Sequence, residues 1–152
     1  MRDKIILPNS FLEIAEEELR AGRSIRLLAD GTSMYPFIRG GKDEVEIVPV
    51  KKDTEPEMFS CYLCKWQDRY IIHRLIGKEG KDYIFQGDGN PASRIEKVNR
   101  ENIIGLLIRI YSPGGDISDC RNPKWVRKGK IWFQLRKVRR IINAILRRSR
   151  LR

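Results

Sequence analysis

The stretch CYLCKWQDRYIIHRLIGKEGKDYIFQG, residues 61–87, decides the fold class of this chain. Three segments rich in β-branched and aromatic residues alternate there with the short connections QD and GKEGK. Connections this short join antiparallel neighbours, because a parallel crossover needs a dozen or more residues. We therefore predict two successive β-hairpins, built from strands at 61–66, 69–76 and 82–87.

The flanking segments extend this sheet. Apolar or alternating runs at 24–29, 43–50 and 102–111 predict three more strands. Residues 10–22 combine a serine cap, early glutamates, an apolar face and a closing glycine, which is typical of a short amphipathic helix. The prediction is a mostly β, antiparallel domain of about six strands behind one helix.

The charge of the chain is concentrated at one end. The sequence has 152 residues, of which 41% are hydrophobic and 34% charged, as in a folded domain with a highly charged surface. Residues 121–152 hold 13 Lys or Arg and no Asp or Glu, whereas the other 18 basic residues stand against all 20 acidic ones. We therefore divide the chain into a β domain, 1–120, with a net charge of about −2, and a basic tail, 121–152.

Apolar residues three or four positions apart in the tail predict a helix that begins near Lys124. Its apolar stripe would either dock on the β domain or lie in the surface of an anionic membrane, with aromatic rings at the interface and arginines on the headgroups. Nucleic-acid binding is the third option, since the β segments offer no basic–aromatic platform. Of these three, we favour the anionic membrane as the surface that the apolar stripe contacts. The residues of the stripe are Ile131, Leu135, Val138, Ile142 and Ile145, joined by Trp132 and Phe133.

The sequence predicts a cytoplasmic protein whose membrane contact is peripheral. Residues 1–22 lack an apolar run long enough for a signal peptide. No window approaches the roughly 18 uncharged apolar residues that a spanning helix needs.

The three cysteines do not suggest a disulfide framework, because their number is odd. Cys61 and Cys64 form a CxxC, but residues three apart on a strand point to opposite faces. Zinc usually takes four ligands, and Cys120 and His73 are the only further soft candidates. We interpret the cysteines as small reduced residues and predict neither a metal nor an organic cofactor.

A serine, the single histidine and an aspartate are the candidate reactive residues. Ser33 lies in the bend DGTSMYPF, and a serine hydroxyl is a poor nucleophile unless a base takes its proton. His73, in IIHRLI, is the only histidine, and the aliphatic neighbours on its strand face favour the neutral ring that a general base requires. Asp88, in FQGDGNP, is placed to hold that ring in the accepting tautomer.

Each of these residues also has an ordinary structural interpretation. Ser33 and Asp88 are common turn residues in Gly- and Pro-containing segments. His73 fits a core histidine bonded to a backbone carbonyl, and Lys65 on the preceding strand is a second candidate base. The residues taken singly leave these alternatives open.

The three segments in this order resemble the signal peptidase superfamily of serine peptidases, which includes the autoproteolytic domains of LexA-type repressors. The resemblance covers about residues 24–111. Members carry GxSMxP around the nucleophile, a base on a later strand and a GD-N box, and the base is a histidine followed by arginine in several signal peptidase branches. The matching positions are 31–36, His73 with Arg74, and Gly87, Asp88 and Asn90.

The resemblance implies a serine endopeptidase with the family's antiparallel β fold, which cleaves a leader or signal-like segment held in extended form. It implies Ser33 as nucleophile, His73 as general base and Asp88 as orienting acid, with the Ser33 N–H as an oxyanion donor. The expected oxyanion and substrate-binding positions beside the nucleophile are Gly31, Thr32, Met34 and Pro36.

Three departures from the family pattern stand beside this match. The sequence shows no spanning anchor, and Gly31 stands where some members supply a hydroxyl to the oxyanion. In the box, Gly89 stands where asparagine is usual, and the second acidic residue that commonly follows has no clear match, since the next acid here, Glu96, is not obviously equivalent. The alternative from another class is a non-catalytic peptide-binding module whose tail docks on membrane or nucleic acid.

Overall fold

A computed structural model describes residues 9–150, so residues 1–8 of the predicted β domain and residues 151–152 of the tail lie outside the described range. The strands within that range are β1 Ile25–Leu28, β2 Glu44–Pro49, β3 Cys61–Trp66, β4 Arg69–Glu79, β5 Asp82–Gln86, β6 Glu96–Val98, β7 Ile103–Tyr111 and β8 Ile117–Asp119. The helices are α1 Asn9–Arg20, α2 Pro123–Gln134 and α3 Arg136–Arg150, with a 3-10 turn at Arg100–Asn102.

The strands form one antiparallel sheet in the order β1-β2-β7-β3-β4-β5-β6, with β8 beside β7. The prediction of a mostly β, antiparallel chain behind one helix is therefore confirmed. Gln67 and Asp68 both have positive φ, 46° and 60°, as a tight two-residue hairpin connection requires. Strands β6 and β8 were missed because three residues are too short to show a period.

Both faces of the central strand β3 are apolar. Cys61 and Leu63 lie in one buried cluster, and Tyr62 and Cys64 lie in the other, so the two cysteines point to opposite faces as predicted. Burial raises the pKa of the Cys61 thiol to about 12. This thiol is therefore protonated near neutral pH and behaves as a small core residue.

The basic tail forms two helices instead of the single helix predicted from Lys124. The side chain of Asn122 caps α2 by accepting from the Lys124 N–H at 2.9 Å, and helical geometry breaks at Leu135. The apolar spacing continues across this break, so the sequence pattern did not reveal it. No helix in the described range is long and apolar enough to cross a membrane.

Helix α2 docks on the β domain. The ring centroids of Trp125 and Trp132 lie 5.8 and 6.1 Å from that of Phe37, in edge-to-face geometry. The Trp132 indole N–H also donates to the backbone oxygen of Asp88 at 2.7 Å. Trp132, which we expected at a membrane interface, therefore lies against the protein's own domain.

Gly129 lets α2 approach a buried arginine. A Cβ added there would lie 2.0 Å from Arg74 Nη1 and 2.3 Å from its Cζ. The guanidinium cannot simply move aside, because Nη1 donates to the backbone oxygen of Phe59 at 2.6 Å and Nη2 to a carboxylate oxygen of Asp88 at 2.7 Å. The close packing of α2 thus depends on a residue without a side chain.

We expect Gly129→Ala to lower the free energy of unfolding by about 1–3 kcal/mol through overpacking, although alanine favours a helix by about 1 kcal/mol. Urea unfolding followed by tryptophan fluorescence measures this change. Lys128→Ala, at the exposed neighbouring position, is the control and should stay within about 0.5 kcal/mol of the parent. A Gly129→Ala protein as stable as the parent would contradict the packing of α2 on Arg74.

Candidate active site

Ser33 lies on a tight bend after β1. Gly31 has a φ of +76°, and the Tyr35 N–H donates to the Thr32 carbonyl at 3.1 Å, which closes a turn around the serine. Gly40 packs on the bend so closely that a Cβ there would lie 1.9 Å from the Gly31 oxygen. The two glycines therefore hold Ser33 on a fixed backbone, half-buried.

Residues 87–90 lie directly on this bend. The Gly89 N–H donates to the Ser33 carbonyl at 2.8 Å, and the Asp88 N–H lies 3.5 Å from Met34 Sδ. A Cβ on Gly89 would lie 2.8 Å from the Thr32 oxygen. The fold thus brings the serine motif and the GD-N motif together through their backbones.

His73 on β4 reaches the serine. Its Nε2 lies 3.0 Å from Ser33 Oγ, and the histidine is only 4% exposed. Ile71 and Leu75, two positions before and after it on the strand, belong to the same apolar cluster, as the predicted alternation requires. The two residues predicted as nucleophile and base are therefore within hydrogen-bond reach of each other.

The carboxylate beside the histidine belongs to Glu96 on β6. Its Oε1 lies 2.8 Å from His73 Nδ1, and both side chains are 5% exposed. Across residues 9–150, neither His73 Nδ1 nor Glu96 Oε2 has a hydrogen-bond partner, so this close charge contact is the polar neighbour of the ring at Nδ1. The imidazole thus has a hydroxyl at one nitrogen and a carboxylate at the other, which is the order of a Ser–His–acid triad.

Asp88, which we expected to orient His73, binds Arg74 instead. The guanidinium donates from Nε to Oδ1 at 2.8 Å and from Nη2 to Oδ2 at 2.7 Å, with both side chains buried. Successive residues of a strand point to opposite faces, so His73 and Arg74 cannot share one carboxylate. The aspartate lies on the arginine's side of the sheet, and the glutamate lies on the histidine's side.

Arg74 ties together several parts of the domain. Its guanidinium lies 4.7 Å from the ring centroids of both Phe37 and Trp125. Burial opposes its charge, but the interactions with nearby groups, including the hydrogen bonds to Asp88, hold its pKa above the ordinary value. The charged pair therefore joins β4, the loop at 87–90 and α2.

From the sequence, Glu96 was only the next acid after Asp88 and not obviously equivalent to the family's second acid, because β6 is too short to be recognised as a strand. In EKV, residues 96–98, alternation puts Glu96 and Val98 on one face of the strand and Lys97 on the other. In the structure Glu96 and Val98 are buried, and Lys97 is exposed. A carboxylate on an apolar strand face was the signal that could have identified it.

Lys65, the second candidate base, lies elsewhere. Its Nζ is 4.0 Å from Glu16 Oε1 on α1 and 5.8 Å from the centroid of the Tyr70 ring. The Tyr70 hydroxyl also donates to Glu16 Oε1, at 2.6 Å. Lys65 and Tyr70 therefore fasten α1 to β3 and β4, and the nitrogen facing Ser33 is that of His73.

A cleft of about 380 Å³ opens beside Ser33 and His73. Of the four other positions predicted around the nucleophile, Gly31 and Met34 contribute to its wall. Thr32 and Pro36 are exposed and lie outside that wall.

The cleft runs between two strand edges. In the described range β1 pairs only with β2, and β5 pairs with β4 only from Arg74 onward. Each edge therefore offers backbone groups with no strand beside them. Consecutive residues of both edges line the cleft although strand side chains alternate, so main-chain atoms contribute to its walls beside the side chains. These segments are 27–31 and 69–73.

Comparisons with known proteins add no family to this geometry. The chain matches no protein-family model, no curated protein and no solved structure. Between residues 9 and 150 there is also no group of three or more His, Cys, Asp or Glu side chains arranged to hold a metal ion.

Proposed function

We propose that this protein is a serine endopeptidase with a signal-peptidase-like fold, in which Ser33 is the nucleophile and His73 the general base. The distance of 3.0 Å from His73 Nε2 to Ser33 Oγ, beside an open cleft, carries the proposal. A base must come within hydrogen-bond reach of the proton that it takes. The antiparallel sheet and the contact of the serine bend with residues 87–90 support the resemblance to the signal peptidase and LexA-type superfamily.

Glu96 takes the orienting role in this proposal. A carboxylate at Nδ1 favours the tautomer that carries its proton there, which leaves the Nε2 lone pair toward Ser33. As Oγ attacks the scissile carbonyl, Nε2 takes the hydroxyl proton, and the resulting imidazolium faces Glu96. The proton then passes to the leaving amine, and water hydrolyses the Ser33 ester by the same steps in reverse.

The oxyanion would be held mainly by backbone. Between residues 9 and 150, the Ser33 N–H donates to no acceptor, so it is free to receive the charge that develops on the carbonyl oxygen. Gly31 supplies no hydroxyl at the position where some family members have one. Because one oxyanion donor is worth about 10²–10³ in rate in other serine peptidases, we expect slow turnover.

The substrate that fits this cleft is an extended peptide. A strand placed between residues 27–31 and 69–73 would find backbone groups on both sides, and main-chain pairing of this kind supplies affinity without a side-chain requirement. The volume of about 380 Å³ favours small side chains next to the cleaved bond. A leader or signal-like segment of a protein or peptide meets both conditions.

Comparison of protein amino termini in cells that carry either the natural chain or Ser33→Ala tests the proposal. We expect at least one new terminus that depends on Ser33, because without its hydroxyl no ester can form. Ser118→Ala, an exposed serine on β8, is the matched control and should leave the termini unchanged. Identical termini in all three strains, with Ser33→Ala folded and expressed, would remove the peptidase proposal.

A non-catalytic peptide-binding module is the second candidate, because the strand edges would hold an extended peptide with or without hydrolysis. In that case Ser33→Ala would bind the same peptides as the parent. The short contact between Ser33 and His73 favours the peptidase, since binding alone does not need a base beside a hydroxyl.

A further inference from the structure

Helix α3 turns its apolar residues to solvent. Its five large aliphatic side chains are each 42–62% exposed. Single exposed aliphatic residues are normal, but a continuous group of them marks a contact surface. These residues are Val138, Ile141, Ile142, Ile145 and Leu146, which we call the aliphatic stripe.

The polar side of α3 faces the β domain. At about 100° per residue, the aliphatic stripe covers an arc of about 140°, and the opposite arc of about 100° is polar apart from one alanine. That opposite arc lines a groove of about 810 Å³ with the loop at 88–93. The orientation is the reverse of that of α2, which packs its aromatic residues on the domain. The residues of the polar arc are Arg136, Arg140, Asn143, Ala144 and Arg147.

The charge of α3 restricts what can cover the aliphatic stripe. Residues 136–150 contain seven Lys or Arg and no Asp or Glu. A second copy of the helix would bring seven more positive charges against these seven, and like charges repel. Nucleic acid offers phosphates but no apolar layer for five aliphatic side chains. An anionic lipid surface offers both negative headgroups and an apolar interior.

We propose that α3 lies in the surface of an anionic membrane. The aliphatic stripe enters the acyl boundary, the positive charge of the helix attracts anionic headgroups, and the polar arc carries the β domain on the water side. The membrane contact belongs to α3 and not to the whole tail 121–152, because α2 is already docked on the domain. The proposal does not depend on the peptidase activity of the Ser33 site.

Sedimentation of the full chain with lipid vesicles tests this. We expect binding to phosphatidylcholine vesicles that contain phosphatidylglycerol, and binding at least about tenfold weaker to phosphatidylcholine alone, since each basic residue near an anionic surface adds attraction. Added salt should weaken the binding to the mixed vesicles. Equal binding to both vesicle types, or binding to neither, would overturn the proposal.

Two serine substitutions separate the aliphatic stripe from exposed apolar surface in general. Ile141 and Ile117 are 62% and 61% exposed, but only the first lies on α3. Ile141→Ser should weaken binding to the mixed vesicles by about tenfold, and Ile117→Ser should leave it unchanged. The proposal is overturned if Ile141→Ser binds the mixed vesicles like the parent, or if Ile117→Ser loses binding and Ile141→Ser does not. Self-association of the parent protein in the absence of vesicles would also overturn the proposal if Ile141→Ser abolished it. In that case the aliphatic stripe would bind a second copy of the chain.

Discussion

Asp88→Ala is expected to lower the free energy of unfolding by about 3–5 kcal/mol, because it leaves a charged arginine buried without its partner. The side chain of Arg74 is 0% exposed, and both carboxylate oxygens of Asp88 accept from it. Its guanidinium cannot reach water without displacing α2, which packs against it at Gly129. Urea unfolding at neutral pH measures the loss.

Two further variants test this explanation. Glu79→Ala removes one partner of an exposed pair, Lys97 with Glu79, whose side chains are 53% and 68% exposed, and should cost no more than about 1 kcal/mol. The double variant Arg74→Met with Asp88→Leu removes both buried charges and should recover much of the loss. If Asp88→Ala costs no more than Glu79→Ala, the buried pair does not hold the domain as its geometry indicates.

Glu96→Gln is expected to lower kcat by about 10³–10⁴-fold while the protein stays folded. The amide can donate to His73 Nδ1, which favours the proton on Nε2 and removes the lone pair that Ser33 needs. Stability should change little or rise, because Glu96 is a buried carboxylate with one oxygen that lacks a hydrogen-bond partner among residues 9–150. The rate is measured on a peptide that spans a Ser33-dependent cleavage site.

Glu46→Gln is the matched control for this effect. Glu46 is also a glutamate on a strand, although only partly buried, and it accepts from Arg109 and Tyr111 on β7. Its replacement should leave kcat unchanged, whatever it does to stability. A Glu96→Gln enzyme with the parent's kcat would show that His73 needs no carboxylate at Nδ1.

Much of this architecture was predictable from local pattern. The short connections at 67–68 and 80–81 allow only antiparallel neighbours, and strand alternation separated Cys61 from Cys64. His73 was identifiable because the chain has no other histidine, so a Ser–His pair had one candidate base. These conclusions need only spacing and composition, which act over a few residues.

The sequence by itself determined the six longer strands of residues 9–150, the hairpins and the two residues that meet at the cleft. Only the tertiary structure decided which carboxylate lies beside the histidine and which half of the tail is buried. Asp88 and Glu96 both follow β5, and the side of the sheet that each reaches depends on how residues 87–98 pack. Likewise, the same apolar spacing runs through α2 and α3. Only α2 has the glycine and the two tryptophans that let a helix pack on the β domain. The physical reason is that periodicity shows which residues share a face, and long-range packing decides what that face meets.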